Sequence, residues 1–387
     1  GGPHISIMET GDFESMFPHM DFAIRGEGEI PLPMLADALE NQRRTCRANH
    51  ENHENCENHD NHESRTRDDT VETWQTAGTV HFRDIPGIVF KDTGSGEWVS
   101  APPARHLHLD DFGMPAWDLM DPRSYRDRWF FWNPAEVGAP IITSRGCPYR
   151  CTFCAQNIVG GKRLRQRSLA GVFEEMDLLI NAYGITDFEI MDDNFMMNMD
   201  FVEGFCRGIL ERGWKITWSC GGSRLDHLDL PLVKLMERSG CTILSVGLES
   251  GSQRILDYMC KDLRLETVRV KTSMITRNST IKINGMFILG YPTETRADIL
   301  KTIRFAKKLD IFAATFFTFL LLPGSPEFDR LLERGEITKP SFQAIHIDTH
   351  IYAPRGMSLN TLKRLYHRAY IEFYLRPGVV WRIFKAT

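Results

Sequence analysis

Three cysteines within eight residues are the strongest candidates for chemistry in this sequence. Cys147, Cys151 and Cys154 follow a strand-like segment at spacings of four and three residues. Thiolates are ligands of iron–sulfur clusters and of zinc. Three thiolates satisfy three irons of a cubane and leave the fourth iron free for an exogenous ligand, as catalytic metal sites keep an open position. The spacing therefore predicts a 4Fe-4S cluster that takes part in catalysis.

A structural zinc site and a chance cluster of buried thiols are the alternatives for the cysteine triplet. A structural zinc site needs four protein ligands, but no further His or Cys lies in the loop or shortly after it. Both alternatives stay open at the level of sequence. The later cysteines occur singly at predicted helix and strand positions and are typical of small core residues: Cys206, Cys220, Cys241 and Cys260.

The elements that position the cysteine loop alternate between strand-like and helix-like segments from Ala139 onward. This alternation predicts six βα units around a parallel sheet. The predicted strands are Pro140–Ser144, Asp187–Asp192, Lys215–Ser219, Ile243–Leu248, Lys282–Leu289 and Ala314–Leu321. The predicted helices are 168–183, 199–212, 229–239, 252–259, 264–277 and 294–309. In α/β barrels the chemistry gathers at the carboxyl ends of the strands, so residues after each strand are candidate site residues.

Polar residues follow the second and third predicted strands. Asp192, Asp193 and Asn194 offer carboxylate and amide oxygens that accept from an ammonium group. The same three residues are equally typical of a cap for the helix that begins near Met199. Arg224 follows a turn of small residues, and its guanidinium suits a carboxylate ligand. A plain surface ion pair is the alternative for Arg224.

The cysteine loop resembles the signature of the radical S-adenosylmethionine superfamily, because its spacing is Cys-x3-Cys-x2-Cys and Phe153 precedes the last cysteine. The resemblance implies an enzyme in which the methionyl amine and carboxylate of S-adenosylmethionine chelate the unique iron of the cluster. Electron transfer then cleaves a carbon–sulfur bond and gives methionine and a 5′-deoxyadenosyl radical, which abstracts hydrogen from the substrate. The implied fold class is α/β, with a partial (β/α)6 barrel.

Motifs after the later strands resemble the same family. Gly-x-Glu-Ser-Gly at 247–251, Gly-Tyr-Pro-x-Glu-Thr at 290–295 and Pro-Gly-Ser-Pro at 323–326 occur in the family's order. The resemblance implies that Phe153 and Ile288 pack at the adenine. Thr293 and Glu294 are instead expected to cap the next helix.

The resemblance also implies a set of cofactor contacts. Arg224 would bind the methionyl carboxylate, and Glu249 would accept from the ribose hydroxyls or the ammonium. The catalytic and metal-binding residues are predicted to be Cys147, Cys151 and Cys154. The predicted cofactor-binding residues are Phe153, Asp193, Asn194, Arg224, Ser245, Glu249, Ile288 and Pro323.

Both ends of the chain resemble one branch of the superfamily, in which a cobalamin-binding domain precedes the barrel. Gly-Gly-Pro-His at 1–4 and Arg-Gly-Glu-Gly-Glu at 25–29 resemble the end of that domain, and Tyr366–Pro377 resembles the C-terminal helix of the branch. The resemblance implies the remnant of an open α/β (Rossmann-like) domain and cobalamin as a further cofactor. The Asp-x-His-x-x-Gly motif that supplies an axial His to cobalt in many cobalamin proteins is absent. We therefore expect an N-terminally incomplete domain that binds cobalamin poorly.

The chain divides into five predicted segments. Residues 1–43 are the remnant of the cobalamin-binding-like domain. Residues 44–80 are a low-complexity insertion rich in Asn, His and Glu, which we expect to be disordered. Residues 81–138 form a hairpin and linker, 139–326 the radical S-adenosylmethionine barrel core, and 327–387 a C-terminal helical extension.

The branch implies methylation, or rearrangement or cyclisation, of a small-molecule substrate. The motifs leave the identity of that substrate open. The resemblance further implies an electron donor such as flavodoxin or ferredoxin. Two alternatives are a transfer-RNA methylthiotransferase and an inactive or truncated iron–sulfur protein.

The composition narrows the class of partners. The 387 residues carry a formal net charge of -5, which does not favour binding to a phosphate backbone, so no nucleic-acid partner is expected. The most apolar run, Ile311–Leu322, is too short to span a bilayer, and no transmembrane segment is expected. Nine cysteines, three of them crowded together, suit a metal site in a reducing compartment, which predicts a cytoplasmic protein.

Overall fold

The computed structural model describes residues 20–53, 82–92, 95–103, 108–124, 138–338, 345 and 350–386. The chain divides into two compact units, Gly1–Leu107 and His108–Thr387. No helix within the described ranges is long and apolar enough to cross a membrane.

The described part of the first unit is a three-stranded antiparallel sheet with one helix. Strands β1 (Phe22–Ile24), β2 (Ile88–Lys91) and β3 (Trp98–Ser100) pair in the order β1-β2-β3. Strands β2 and β3 form a hairpin within residues 81–138, where the sequence predicted one. Strand β1 pairs antiparallel with β2, and Ile24, Ile88 and Phe90 share one apolar core.

Helix α1 (Pro31–His53) of the first unit extends into residues 44–80, the predicted low-complexity insertion. An ion pair between Arg44 and Glu40, one helical turn apart at 2.5 Å, lies near the start of that segment. Residues 54–80 of the insertion lie outside the described residues, so the predicted disorder of this segment stays a prediction.

The second unit contains a six-stranded parallel sheet, as the alternation of elements predicted. Its order is β11-β10-β9-β8-β7-β4, so each strand lies beside the strand before it along the chain. This order, with helices in the connections, is that of a partial α/β barrel, and the predicted fold class is confirmed. The six strands are β4 (Gly138–Ile141), β7 (Asp187–Ile190), β8 (Thr217–Ser223), β9 (Cys241–Glu249), β10 (Lys282–Leu289) and β11 (Ala313–Thr318).

A short hairpin and a series of helices complete the second unit. Strands β5 (Ser144–Arg145) and β6 (Arg165–Gln166) form the hairpin, and its two strands flank the cysteine loop. The helices are α2 (Gln156–Val159), α3 (Leu169–Tyr183), α4 (Met199–Glu211), α5 (Leu230–Arg238), α6 (Gln253–Tyr258), α7 (Leu265–Asn278), α8 (Arg296–Lys308), α9 (Pro326–Glu333), α10 (Leu359–Tyr374) and α11 (Pro377–Ala386).

Side-chain caps fix where several of these helices begin. The Ser168 side chain caps α3, and Asn198 caps α4. Helix α8 begins with a capping box between Thr295 and Asp298. We expected Thr293 and Glu294 to cap α8, and that expectation is wrong. The reciprocal bonds of a capping box join residues three apart, and Thr295 has the required carboxylate at Asp298.

Helix α10 covers the edge of the sheet at β11. An edge strand exposes backbone N–H and C=O groups that need partners. The Tyr370 hydroxyl accepts from the Phe316 N–H at 3.1 Å and donates to the Phe316 carbonyl at 3.0 Å. The Tyr374 hydroxyl makes the same pair of bonds with Ala314, at 3.2 and 2.9 Å. Two tyrosines one helical turn apart therefore satisfy backbone groups of β11 at this edge. Among the described residues, no further strand pairs with β11 there.

This edge contact yields a stability prediction. Replacing Tyr370 or Tyr374 with Phe removes both bonds to one buried residue of β11 and leaves its backbone groups without those partners. We expect each variant to lower the free energy of unfolding by about 1–3 kcal/mol, measured by urea denaturation of the whole chain. Tyr183→Phe, at a ring that contacts Arg123, is the control. Equal stability of all three variants and the parent would contradict the prediction.

Candidate functional site

The three cysteines lie on the loop that runs from β5 to α2. Each is half-buried, and none is in a disulfide. The loop begins at Gly146, whose φ is +90°, and a Cβ there would lie 2.2 Å from the carbonyl oxygen of Arg163. Only glycine fits this position, because a side chain would collide with fixed backbone. The sharp turn directs the following loop across the carboxyl ends of the strands.

Thr152, in the middle of the loop, is bound by three separate segments. Its N–H donates to the Met259 carbonyl at 2.9 Å, and its carbonyl accepts from the Glu327 N–H at 2.9 Å. Its hydroxyl lies 2.6 Å from the Tyr291 hydroxyl. These bonds fix the loop backbone between Cys151 and Phe153. The cysteines are therefore held by elements distant in sequence.

Asp192, at the end of β7, also binds this region. Its carboxylate accepts from the Thr143 N–H at 2.6 Å, the Thr143 hydroxyl at 2.5 Å and the Ser144 hydroxyl at 2.7 Å. The side chain is buried, and burial raises its pKa. Asp192 thus joins β7 to the segment between β4 and β5.

Asp193 binds the start and the end of the cysteine loop. Its Oδ2 accepts from the Gly146 N–H at 2.7 Å, and its Oδ1 accepts from the side-chain amide of Gln156. Burial raises the pKa of this carboxyl as well. The sequence predicted Asp193 as a cofactor contact, and that role stays a prediction. In the structure its oxygens hold the loop, which accounts for a carboxylate at this position.

The thiols lie in a weakly solvated environment. Burial raises the pKa of Cys147 and Cys154, and it raises the pKa of Cys151 to about 11. The positive charge of Lys261 opposes this rise at all three thiols. Among the described residues, no three His, Cys, Asp or Glu side chains converge on one point that could hold a single metal ion. In a cubane each thiolate binds a different iron, so the three sulfurs need not converge on one point. The prediction of a 4Fe-4S cluster therefore depends on the cysteine spacing and on the resemblance to the family.

The Arg224 guanidinium is buried and already engaged. It forms a fork with Asp226, with distances of 3.0 Å from Nε and 2.8 Å from Nη2. It also donates to the backbone carbonyls of Lys261 and Asp262 at 2.7 and 2.6 Å, and it stacks on the Tyr149 ring at 4.1 Å. The predicted contact with a methionyl carboxylate stays a prediction. The structure gives the fork of Arg224 to Asp226, so this residue also ties β8 to the segment after α6.

Glu249 ends β9 in an unusual conformation. Its φ is +58°, in the left-handed region that non-glycine residues rarely adopt. The side chain is buried, and its Oε1 accepts from Lys261 Nζ at 2.8 Å. Gly247 leaves room for this contact, since a Cβ there would lie 2.4 Å from Glu249 Oε1 and 2.9 Å from Lys261 Nζ. Strained residues of this kind concentrate at functional sites.

Two residues predicted at the adenine come together in the structure. Phe153 and Ile288 are both partly buried and pack against the same apolar cluster, which includes Tyr291 and Phe319. The ring of Phe153 meets that of Tyr291 edge to face, with centroids 6.5 Å apart. This surface lies directly beside the cysteine loop and is apolar enough to take a flat aromatic base.

Ser245 belongs to a row of polar side chains across neighbouring strands. Asn284 on β10 donates to the Ser245 hydroxyl on β9 at 3.4 Å and accepts from the Thr315 hydroxyl on β11 at 3.1 Å. Ser245 and Asn284 are buried. Hydrogen-bonding groups therefore cross the three neighbouring strands β9, β10 and β11, whereas the sequence singled out Ser245 alone.

Asn194 and Pro323 complete the predicted set. Asn194 follows Asp193 after β7 and is buried, and its Oδ1 has no hydrogen-bond partner among the described residues. A buried acceptor without a partner is costly and indicates that a donor is missing from the site. Pro323 is buried in the turn after β11, where Gly324 has a φ of +80°. The predicted roles of both residues stay predictions.

The sequence did not single out Lys261 or Tyr291 as site residues. Lys261 follows a helix rather than a strand, so no rule about strand ends selects it. Tyr291 stands inside the Gly-Tyr-Pro motif, and that motif was its only signal. Tyr291 is fully buried, and burial raises the pKa of its hydroxyl well above the usual range. The hydroxyl therefore stays protonated as a partner of Thr152.

Residues 141–306, which include the three cysteines and Glu249, match the family described as the Radical SAM superfamily. An uncharacterized methyltransferase of Pyrococcus horikoshii is 28% identical over 98% of this chain and 72% of its own length. The cytidylyl-2-hydroxyethylphosphonate methyltransferase of Streptomyces wedmorensis is 31% identical over 59% of this chain and 44% of its own. The anaerobic magnesium-protoporphyrin IX monomethyl ester cyclase of Cereibacter sphaeroides is 24% identical over 99% of this chain and 56% of its own. The chain thus spans about half the length of the last two relatives.

The fold is similar to that of the radical S-adenosylmethionine methyltransferase TsrM from Kitasatospora setae. That structure aligns with a TM-score of 0.59 and 20% sequence identity, over 95% of this chain and 63% of that protein. It contains cobalamin and a [4Fe-4S] cluster. At this identity the likeness supports the fold.

The bonds of Asp193 yield a prediction about the loop. Asp193→Ala removes the acceptor of the Gly146 N–H, so we expect the backbone amides near the loop start to exchange hydrogen about tenfold faster, as loss of one bond of about 1.4 kcal/mol implies. Hydrogen–deuterium exchange with mass spectrometry measures this on peptides that cover 144–156. Asp200→Ala, at an exposed residue of α4, is the control. An unchanged exchange rate in Asp193→Ala would show that the carboxylate does not hold the loop.

Proposed function

We propose that this chain binds a 4Fe-4S cluster through Cys147, Cys151 and Cys154 and uses it to methylate, rearrange or cyclise a small molecule, since residues 141–306 match the Radical SAM superfamily. When bound, the cluster supplies the electron that cleaves S-adenosylmethionine to methionine and a 5′-deoxyadenosyl radical. The single observation that carries the proposal is the fixed conformation of the cysteine loop at the carboxyl ends of the strands. Thr152 of the loop is bonded to three other segments, and Asp193 accepts from the N–H of Gly146 at the start of the loop.

The residues present fit the proposed groups. Three thiols without disulfide partners lie on one loop, and thiolates are the ligands that iron–sulfur clusters take. Asn194 Oδ1 is buried and has no partner among the described residues, which suits a donor such as the methionyl ammonium or a ribose hydroxyl. The apolar surface of Phe153 and Ile288 suits the adenine. Anionic, acceptor and apolar groups are thus each available for a part of the cofactor.

The residues around the loop would do the positioning. Glu249 offers a buried carboxylate oriented by Lys261, and it would accept from hydroxyl or ammonium donors. Arg224 would contribute positive charge near a carboxylate while it holds Asp226. The buried Tyr291 hydroxyl would keep Thr152, and with it the loop, in one conformation. Preorganised groups of this kind bind a ligand without paying for rearrangement.

The choice between methylation and cyclisation follows the relatives. Two of these three relatives are methyltransferases, which favours methyl transfer, and the third is a cyclase. The names of these relatives do not favour an inactive iron–sulfur protein. We assign no step to cobalamin, because the described part of the first unit is an antiparallel sheet with one helix and the sequence has no Asp-x-His-x-x-Gly ligand motif.

The proposal includes an electron donor and a compartment. A one-electron reductant such as flavodoxin or ferredoxin would supply the cluster. The seven cysteines from Cys147 to Cys260 are free thiols, which suits a reducing compartment. We therefore place the protein in the cytoplasm.

The function is tested by anaerobic reconstitution and reduction of the whole chain. The parent protein should show the visible absorbance of a 4Fe-4S cluster and release 5′-deoxyadenosine from S-adenosylmethionine. Cys151→Ala should lose both, because one iron loses its ligand. Cys260→Ala, at the exposed cysteine, should keep both and is the matched control.

Two outcomes would contradict the proposal. The first is a parent protein that holds zinc, or no metal, after anaerobic reconstitution. The second is a Cys151→Ala variant that still releases 5′-deoxyadenosine at the parent rate, since the ligand assignment would then be wrong.

A further inference from the structure

Glu249 forms a buried ion pair with Lys261, which lies outside the family motifs found in the sequence. The side chains of Lys261 and Glu249 are only 9% and 8% exposed, and the two charged atoms lie 2.8 Å apart. A buried ion pair adds little to stability, because desolvation of both charges offsets their attraction. Apolar residues of similar size would fill the space as well. The pair therefore calls for a role beyond folding.

The position of Lys261 indicates that role. Its ammonium lies 5.8 Å from the centre of the Phe153 ring, which stands between Thr152 and Cys154 on the cysteine loop. The segment that carries Lys261 is bonded to the same loop, since the carbonyl of Met259, two residues before Lys261, accepts from the Thr152 N–H at 2.9 Å. Burial lowers the pKa of Lys261, but the charges of Glu249 and Cys151 outweigh burial, so the net pKa is raised and the ammonium stays charged.

Other charged groups face the same loop. The Arg224 guanidinium stacks on the ring of Tyr149 in the loop at 4.1 Å, and Asp193 accepts from the Gly146 N–H at the start of the loop at 2.7 Å. The Arg224 charge is balanced by its fork with Asp226. Lys261 is paired with Glu249, so the orientation of each of these two side chains depends on the other.

We propose that Lys261 is a positioning residue with two linked effects: it orients the Glu249 carboxylate, and its charge stabilises the reduced form of the cluster on Cys147, Cys151 and Cys154. The proposal rests on the proposed function, since it requires that cluster. Reduction adds one negative charge to the site. A nearby cation in a region of low dielectric favours the more negative state, so it raises the reduction potential.

The sign of this effect gives a test that a structural role would not mimic. Lys261→Met removes a positive charge, so the midpoint potential of the reconstituted protein should fall. Glu249→Gln removes a negative charge from the same pair, so the potential should rise. We expect at least a tenfold change in the reduction equilibrium in each direction, or about 59 mV for one electron.

The measurement is a potentiometric titration followed by electron paramagnetic resonance, without S-adenosylmethionine, so that contacts of Glu249 with the cofactor do not contribute. Lys261→Arg keeps the charge and should stay near the parent potential. Lys307→Met removes a half-exposed lysine paired with Glu372 on the far helices α8 and α10, and it should leave the potential unchanged.

Three results would overturn the inference. The potentials of Lys261→Met and Glu249→Gln could move in the same direction, which indicates general disruption. Both could stay at the parent value. In a separate binding titration with S-adenosylmethionine, Lys261→Met could bind the cofactor more weakly while its potential stays at the parent value, which would make Lys261 a ligand contact instead.

Two further results separate this inference from the proposed function. If Lys261→Met takes up no cluster, Glu249→Gln decides alone: a rise in potential supports the inference and its absence overturns it. A parent protein without any cluster would contradict the proposed function. A parent protein with a normal cluster, together with variants whose midpoint potentials do not move apart, would contradict only the role of Lys261.

Discussion

The fixed conformation of the Gly146–Cys154 loop is the constraint on which the rest of the site depends. A loop of this length has no regular structure of its own, and three side chains on it must meet one ligand. Ordering such a segment costs conformational entropy for every residue. The structure offsets that cost with bonds from Asp193, Met259, Tyr291 and Glu327. Those partners come from the ends of β7, α6, β10 and the start of α9, so the loop is ordered only when the sheet is assembled.

The parallel sheet makes this convergence possible. Its strands lie side by side in chain order, so the segments after successive strands meet at one edge. Groups separated by more than 100 residues, such as Thr152 and Tyr291, are brought to 2.6 Å. The same edge collects the charged groups Asp193, Arg224 and Glu249. At the far side of the sheet, Tyr370 and Tyr374 satisfy the backbone of β11, and a helix thereby ends the sheet without another strand among the described residues.

Burial gives the charged groups their character. Asp192, Asp193, Glu249 and Lys261 are each largely withdrawn from water and each bonded to a defined partner. In water such bonds would contribute little, but a weakly polar environment makes every unpaired charge costly. The pairing therefore fixes geometry more than it adds stability. The uncharged Asn194 differs from these four groups, since its buried Oδ1 has no hydrogen-bond partner among the described residues.

The type of fold and the kind of ligand expected at the cysteine loop could both be predicted from the residues alone. Cysteine spacing predicts a metal cluster because ligand identity is a property of residue type, and alternating segments predict a parallel sheet because periodicity is local. The structure confirmed the six strands to within a few residues. Only the tertiary structure decided which polar residues hold the loop. Asp193 and Arg224 have the residue types of cofactor contacts. In the structure, however, an Asp193 oxygen accepts from the Gly146 N–H, and the Arg224 guanidinium donates to Asp226. The residues around Lys261 in the sequence did not predict its place at the site. The strength of its electrostatic interactions depends on its burial and its neighbours, and both arise from contacts between segments far apart in the chain.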